Sequence, residues 1–187
     1  MKNIISTTTG NRQYLHVEWY GQEVTPPVEF SFMLTDDGLL FKAARQAPAM
    51  VHPLGCCGQF QEELWKYDAA EFFITTPDKA RYMEFNLSPN GAWRACVFSA
   101  PREIAAGYEN WRPAISTNGK CNDKEWHGEA LIPFSVLEEI GINPRDCSLA
   151  ACAILNSPEQ IFLTSALPCS GQPDFHRPDM WEKASIL

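Results

Sequence analysis

The amino-acid sequence predicts an all-β fold, an antiparallel β-sandwich with one short helix, on the basis of three observations. Apolar and polar residues alternate with period two along most of the chain, which is typical of strands with one buried face. Fourteen prolines and eleven glycines interrupt the 187 residues often, as many short strands and turns require. Neither an internal repeat nor a linker-like segment is evident, so residues 1–187 are expected to form a single domain.

The N-terminal part contains the clearest alternation. In the first predicted strand, residues 14–20, the side chains of Leu15, Val17 and Trp19 share one face. A second alternating strand leads through the Asp37-Gly38 turn into a third strand. Asp-Gly suits this turn because it tolerates the positive φ that tight hairpins demand. The apolar residues that alternate in the second strand are Val28, Phe30, Phe32 and Leu34.

The middle of the chain begins with a long irregular segment, residues 43–63, and long loops in compact domains are often functional. Strands are predicted after this loop at Asp68–Thr75 and Tyr82–Leu87. The turn Ser88–Gly91 then leads to a strand at Trp93–Ser99, which is a second hairpin signal. The stretch that follows, up to Asn122, is less regular.

The C-terminal third holds the one predicted helix. A strand is expected before it, at Glu125–Phe134. Ser135–Ile140 begins with the capping-box spacing S-x-x-E, so a short helix is predicted there, ended by Gly141. Ser148–Leu155 is apolar without alternation, which favours a strand buried on both faces. Ile161–Leu167 is the last predicted strand.

The charge balance restricts the partners. The chain has 15 basic and 23 acidic residues, a net charge of −8. Such a surface repels phosphate backbones, and no cluster of lysine and arginine offsets the repulsion, so no nucleic-acid partner is expected. No apolar run reaches the roughly 20 residues of a membrane helix. Because the N-terminal stretch turns polar too early for a signal peptide, we expect a cytoplasmic protein without a membrane partner. The oligomeric state is left open.

The cysteines agree with a reducing compartment. There are seven of them, an odd number, so at least one is unpaired. Cys96 and Cys152 lie in apolar, strand-like settings, where cysteine usually acts as a small buried hydrophobe. Cys56 and Cys57 are adjacent, but no second pair stands at zinc-site spacing. The sequence therefore predicts no metal site and no cofactor.

Two stretches resemble a known family. The first is Leu64–Ile74 followed by Tyr82–Trp93, with the spacing W-x-x-D-x-x-E-x-F-I, and the second is Pro173–Trp181. Together they resemble uncharacterised bacterial DOMON-like domains related to the family-nine carbohydrate-binding modules. The resemblance spans roughly residues 12 to 185. It implies a jelly-roll-like β-sandwich and a sugar as the ligand.

The resemblance also implies a binding site. In the carbohydrate-binding relatives, two aromatic side chains clamp a sugar beside polar groups on a neighbouring strand. The matching positions are Trp65 for the first aromatic, Phe175 for the second and Glu71 for a polar contact, while Glu84 stands near the position of the relatives' arginine. The candidate ligand-binding residues are Trp65, Glu71, Glu84, Asn86, Phe175 and His176, and no catalytic or metal-ligating residue is assigned.

Strand geometry constrains this site. Six residues of extended strand span ~20 Å, so Trp65 must lie on the loop before the strand if it is to share a ligand with Glu71. Glu84 and Asn86 share a strand face and line up beside Glu71 if the two strands pair. Two structural alternatives stay open: Trp65 as a core residue that seals the end of the sandwich, and Glu71 as a solvated carboxylate.

The favoured function is a non-catalytic module that binds a sugar or a cell-wall fragment stacked on aromatic residues. An enzyme is the first rival, but no nucleophile or metalloprotease motif occurs, and Glu71 with Glu84 is the one carboxylate pair that suits a glycosidase. A haem-binding DOMON domain is the second, with Met50, His52 and His176 as candidate ligands. The third is a protein-interaction module with no small ligand.

Overall fold

Two seven-stranded sheets make up most of the molecule. The computed structural model describes residues 4–6, 12–155 and 159–186. The first sheet has the strand order β14-β1-β3-β4-β10-β9, with β2 beside β3. Its strands are β1 (Ile4–Ser6), β2 (Gln13–Val17), β3 (Glu23–Leu34), β4 (Gly38–Arg45), β9 (Ser116–Cys121), β10 (Trp126–Pro133) and β14 (Ser185–Ile186).

The second sheet has the order β12-β11-β5-β6-β7-β8, with β13 beside β11. Its neighbouring strands are antiparallel, as are those of the first sheet except β1, which pairs in parallel with β3 and β14. The strands of the second sheet are β5 (Ala69–Thr75), β6 (Tyr82–Leu87), β7 (Trp93–Ala100), β8 (Glu103–Ile104), β11 (Ser148–Leu155), β12 (Ile161–Thr164) and β13 (Glu182–Lys183).

The helical content is small. Within the described ranges there is one α-helix, α1 (Phe134–Glu139), and two single 3₁₀ turns, Leu64–Lys66 and Pro178–Met180. None of these is long and apolar enough to cross a membrane. The prediction of an all-β antiparallel sandwich with one short helix is therefore confirmed.

The two sheets face each other across an apolar core. Phe32 of β3 and Phe41 of β4 contact Phe72 of β5, with ring centroids 5.5 and 5.1 Å apart. Phe72 in turn contacts Phe85 of β6 at 5.3 Å. Apolar side chains from both sheets are excluded from water here, which is the main source of stability in a sandwich.

The second sheet is buried on its other side as well. We call the side that faces away from the first sheet the outer face, and residues 165–181 the C-terminal cover. Phe73 of β5 contacts Phe175 and Trp181 of the cover, with ring centroids 6.3 and 5.2 Å apart. Tyr82 of β6 contacts Trp181 at 5.1 Å. The prediction that Ser148–Leu155 is buried on both faces is confirmed, because alternate residues of β11 belong to the core and to this second cluster.

Several predicted strands agree closely with the structure. β6 and β11 have the predicted bounds, β5 begins one residue later than predicted, and β7 extends one residue further. The four alternating residues of the second predicted strand all lie in the core, and the strand pairs with β4 as a hairpin. Trp93 and Trp126 are buried and belong to the core.

Other predictions were wrong. Leu15, Val17 and Trp19 do not share a face, because β2 has an irregularity between Leu15 and Val17 and ends at Val17. Trp19 lies in the following turn and belongs to the outer-face cluster, where its Nε1 donates to the carbonyl oxygen of Gly171 at 2.9 Å. Strand β9 was not predicted at all; its residues are mostly exposed and polar because it is an edge strand.

Two local sequence signals do not act as predicted. Gly38 has no positive φ; it is glycine because a Cβ there would lie 2.1 Å from the carbonyl oxygen of Ile132. The capping box at Ser135 does not form, since the helix already begins at Phe134 and has no side-chain cap. Gly141, with φ of 76°, does end the helix as predicted.

Candidate functional site

A cavity of about 440 Å³ opens on the outer face of the second sheet. Strands β5, β6 and β7 form its floor, the C-terminal cover forms one wall, and the 3₁₀ turn before β5 forms the rim. Its lining is a mixture of aromatic and charged side chains: Trp65, Glu71, Phe73, Glu84, Arg94, Phe98, Arg102, Ile154, Phe162, Pro173, Asp174, Phe175 and His176.

Strand register explains why the polar residues of the floor meet. Glu71 of β5 lies directly opposite Asn86 of β6, and Asn86 lies opposite Arg94 of β7. Phe73 lies opposite Glu84 in the next row. Because alternate residues of a strand point to the same side, all of these side chains project from the outer face. The expectation that Glu84 and Asn86 line up beside Glu71 is confirmed.

Trp65 stands at the rim and is not a core residue. It lies in the 3₁₀ turn before β5, as its separation from Glu71 required, and 37% of its surface is exposed. The guanidinium carbon of Arg94 lies 4.9 Å from the centre of its ring. This cation–π contact fixes the indole over the floor while part of the indole stays open to solvent.

Glu84 is the centre of a hydrogen-bonded network. Its Oε1 accepts from the Asn86 amide nitrogen at 2.6 Å and from Arg94 Nη1 at 3.5 Å. Its Oε2 lies 3.3 Å from His176 Nε2. Arg94 also donates to Glu62 at 2.8 Å, so its charge is shared between two carboxylates. The network holds the floor side chains in fixed positions.

His176 joins this network to Tyr82. Burial lowers the pKa of His176, and Glu84 only partly opposes this effect. A neutral ring with its proton on Nε2 donates to Glu84 and accepts at Nδ1 from the Tyr82 hydroxyl, 2.7 Å away. The same hydroxyl accepts from the backbone N–H of Arg102 at 3.2 Å. Burial, despite that hydrogen bond, raises the pKa of Tyr82 to about 12.

Glu71 contradicts the alternative of a solvated carboxylate. Only 3% of its surface is exposed, and its Oε1 is buried without a hydrogen-bond partner among the described residues. Burial and the neighbouring negative charge of Glu84 raise its pKa well above the ordinary value, although Arg94 acts in the opposite direction. Loss of solvation disfavours the charged form of a carboxyl group, so the surroundings of Glu71 favour the neutral acid.

The structure brings five of the six candidate residues to the cavity. Asn86 is the exception: its side chain projects from the same face but is completely buried, and it donates to Glu84 instead of lining the cavity. Phe175 does line the cavity, but the rings of Trp19, Phe73 and Phe162 surround it at 6.1–6.3 Å and only 9% of it is exposed. Trp65 is thus the more open of the two predicted clamp residues.

Sequence reasoning missed the two arginines of the cavity. Arg94 lines the cavity beside Glu84, and Arg102 forms an ion pair with Asp174 at 3.0 Å. The predicted turn gave no correct signal for Arg94. Counting outward from Ser88–Gly91 pairs Asn86 with Trp93, whereas the observed connection is one residue longer and pairs Asn86 with Arg94.

The three residues of the haem alternative do not line one cavity, since His176 lines the outer-face cavity and Met50 and His52 do not. Both ring nitrogens of His176 are engaged, by Tyr82 and by Glu84. His52 accepts a hydrogen bond from the Leu54 backbone N–H at 3.1 Å, and Met50 lies on the same loop without lining the cavity. Among the described residues, no group of three or more His, Cys, Asp or Glu is placed to hold a metal ion.

Comparisons with known proteins agree with the fold. No family model matches the chain. Among solved structures, a "putative carbohydrate-binding protein" of Bacteroides uniformis superimposes with a TM-score of 0.75 at 14% identity, covering 100% of this chain and 97% of that one. A family-nine carbohydrate-binding module of Caldicellulosiruptor kristjanssonii, in complex with cellotriose, gives 0.67 at 10% identity, with 100% and 93% covered. The chain shares their fold.

Sequence relatives come from vertebrates. The "UPF0462 protein C4orf33 homolog" of Danio rerio is 28% identical over 171 residues, which cover 86% of this chain and 81% of that protein. The homolog of Mus musculus is 27% identical over 143 residues, with 72% and 69% covered. These relatives give no support to the expected bacterial grouping. The relation to DOMON-like domains stays a prediction, while the likeness to family-nine modules extends to the whole fold.

Proposed function

We propose that the protein is a non-catalytic carbohydrate-binding module whose ligand lies in the outer-face cavity. One observation supports this most directly: an exposed indole, Trp65, stands over a floor of buried, hydrogen-bonded polar groups. A sugar has a patch of C–H bonds on its ring face and hydroxyls around its edge. The indole can cover the patch while the floor and wall hold the hydroxyls.

The polar groups of the cavity include both hydrogen-bond donors and acceptors, and a sugar hydroxyl needs both. Arg94 and Arg102 offer N–H donors, and the carboxyl oxygens of Asp174 offer acceptors. The volume of about 440 Å³ is within the ~300–1,000 Å³ range of small-molecule sites. The solved structures of the same fold include a family-nine module in complex with cellotriose and one in complex with glucose, which makes these sugars the first probes.

The expected affinity is weak. Each hydrogen bond contributes about 0.5–1.5 kcal/mol net, and a single open aromatic platform adds a similar amount. After the cost of association, the binding free energy is on the order of −4 kcal/mol, which corresponds to a Kd near 1 mM. Titrations must therefore extend to tens of millimolar sugar.

Tryptophan fluorescence tests the proposal. We expect a saturable change when glucose or cellotriose is added, and its loss in Trp65→Ala. Trp111→Ala is the matched control, because Trp111 is also partly exposed but contacts Tyr108 and Glu139 away from the cavity. A flat response of the wild-type protein to a panel of neutral mono- and oligosaccharides would overturn the proposal and favour a protein partner.

Stability measurements on the same variants separate platform from scaffold. A platform residue at the rim costs less than about 1 kcal/mol of unfolding free energy when truncated, since little buried surface is lost. A loss of about 3–5 kcal/mol in Trp65→Ala would instead mark a core residue, and any loss of binding would then be indirect.

A further inference from the structure

The buried acid at the centre of the cavity floor has no hydrogen-bond donor of its own. Glu71 lines the cavity, yet its Oε1 is buried and has no partner among the described residues. Asn86, directly opposite, has a buried Oδ1 in the same condition. The two residues are cross-strand neighbours in register. A buried polar atom without a partner, on a residue that lines a ligand-sized cavity, marks a candidate ligand contact.

The charged and titratable groups around Glu71 come from every neighbouring element. Glu84 lies diagonally on β6, Arg94 lies beyond Asn86 on β7, and Cys152 lies directly opposite on β11. The C-terminal cover adds His176 and Asp174 to the same cavity. The Cys152 thiol donates to Thr164 at 3.3 Å and burial raises its pKa, so it stays neutral.

The two arginines of the cavity are already paired with carboxylates other than Glu71. Arg94 donates to Glu62 and Glu84, and Arg102 to Asp174. Ionised Glu71 would therefore be a buried charge beside a like charge, with no cation of its own, which is a costly arrangement. The neutral acid avoids this cost and turns the residue into a hydrogen-bond donor.

We infer that Glu71 acts in ligand binding as a neutral carboxylic acid, whose O–H donates a hydrogen bond to an oxygen of an uncharged saccharide. We infer also that the cavity rejects anionic sugars. The inference rests on the proposed function. Anionic sugars are rejected because each cavity arginine already has a carboxylate partner, so a sugar phosphate or a uronic acid would enter without an unpaired cation to neutralise it.

The proton itself can be observed without any ligand. Infrared difference spectra between the wild-type protein and Glu71→Gln, with carbon-13-labelled glutamate, report whether one carboxyl is protonated at pH 7. We expect a protonated-acid band that is lost in Glu71→Gln and kept in Glu109→Gln, a control at an exposed glutamate. Absence of the band at pH 7 would overturn the inference and leave the proposed sugar site intact.

Binding of glucose at several pH values tests the donor role. If only the neutral acid binds, the wild-type Kd rises tenfold per pH unit once the pH exceeds the pKa of Glu71 in the empty cavity. Glu71→Gln, whose amide is a permanent donor, is expected to lose this dependence and to bind at least tenfold more tightly than Glu71→Ala. A wild-type affinity that strengthens as the pH rises would identify Glu71 as an ionised acceptor and contradict the inference.

Charge selectivity is tested by glucose 6-phosphate and glucuronate beside glucose. We expect each anionic sugar to bind at least tenfold more weakly than glucose at pH 7. Equal or tighter binding of the anions would overturn the rejection of charge while supporting the cavity as a sugar site. If the acid band is present but no sugar binds at all, the proposed function fails, and the ligand part of the inference fails with it.

Discussion

The two faces of strands β5, β6 and β7 are both buried, but they are built from different chemistry. The face toward the first sheet is entirely apolar, with Phe72, Ile74, Met83 and Phe85 in the core. The outer face, formed by the alternate residues of the same strands, has Glu71 and Glu84 among aromatic rings. Because both faces belong to the same strands, the difference between them lies in the side chains alone.

This contrast separates stability from function. Apolar burial on the inner face contributes about 25 cal/mol per Å² of surface removed from water. Buried carboxyl groups on the outer face cost free energy unless they are fully paired, and Glu71 is not. Such groups beside an open cavity support the proposed ligand site, and substitutions on the two faces should fail in different ways.

The largest expected effect is on the inner face. Phe72→Ala should lower the free energy of unfolding by about 3–5 kcal/mol, because it removes a fully buried ring that contacts both sheets. Urea denaturation gives the value. Tyr20→Ala, at an exposed aromatic residue, should change stability by less than about 0.5 kcal/mol. A loss below 1 kcal/mol in Phe72→Ala would contradict the assignment of the core.

An intermediate effect is expected at the centre of the outer-face network. Glu84→Gln removes the charge that accepts from Arg94 and His176, and should cost about 1–3 kcal/mol because both bonds are largely buried. The matched control is Glu129→Gln, which breaks an exposed ion pair with Lys42 and should cost at most about 1 kcal/mol. Equal losses in the two variants would mean that the network is no stronger than a surface pair.

The smallest effect is a pH dependence of stability. Because the pKa of Glu71 is raised in the folded state, its contribution is complete below the ordinary glutamate pKa and is lost as the pH rises toward the folded value. Across that window the wild-type protein should lose about 1.4 kcal/mol per pH unit relative to Glu71→Gln. Urea denaturation of both proteins over this range gives the difference, in which other titrating groups cancel. Parallel stability curves would show that Glu71 is ionised when folded.

The sequence was sufficient for the central strands, because alternation marks strands with one buried face and continuous apolar runs mark strands buried on both. The bounds of β5 and β6 were predicted to within one residue, and β3 contains the predicted segment but begins earlier, at Glu23. The prediction that Glu84 and Asn86 share a strand face was correct. The edge strand β9 escaped prediction, since both of its faces are largely exposed and no apolar alternation marks it.

The site was only partly predictable, because burial on the outer face depends on distant sequence. From the sequence alone, Glu71 is expected to be a solvated carboxylate. It is buried because the C-terminal cover, about a hundred residues later in the chain, packs on this face of the sheet. Arg177 links the two ends of this segment by donating to the carbonyl oxygens of Ala166 and Pro168, a contact that no local pattern indicates. Asn86 had the right parity, but it is completely buried and donates to Glu84 instead of lining the cavity.

The division between a sheet floor and an irregular cover has an evolutionary consequence. Every residue of the floor is tied by strand parity to a core residue beside it, so insertions there would invert both faces at once. The cover has little regular structure apart from the single turn Pro178–Met180, and such segments accept insertions and exchanges. Under the proposed function, duplicated copies of this gene would therefore diverge in ligand specificity by substitutions in the C-terminal cover, while the sheets beneath are inherited unchanged.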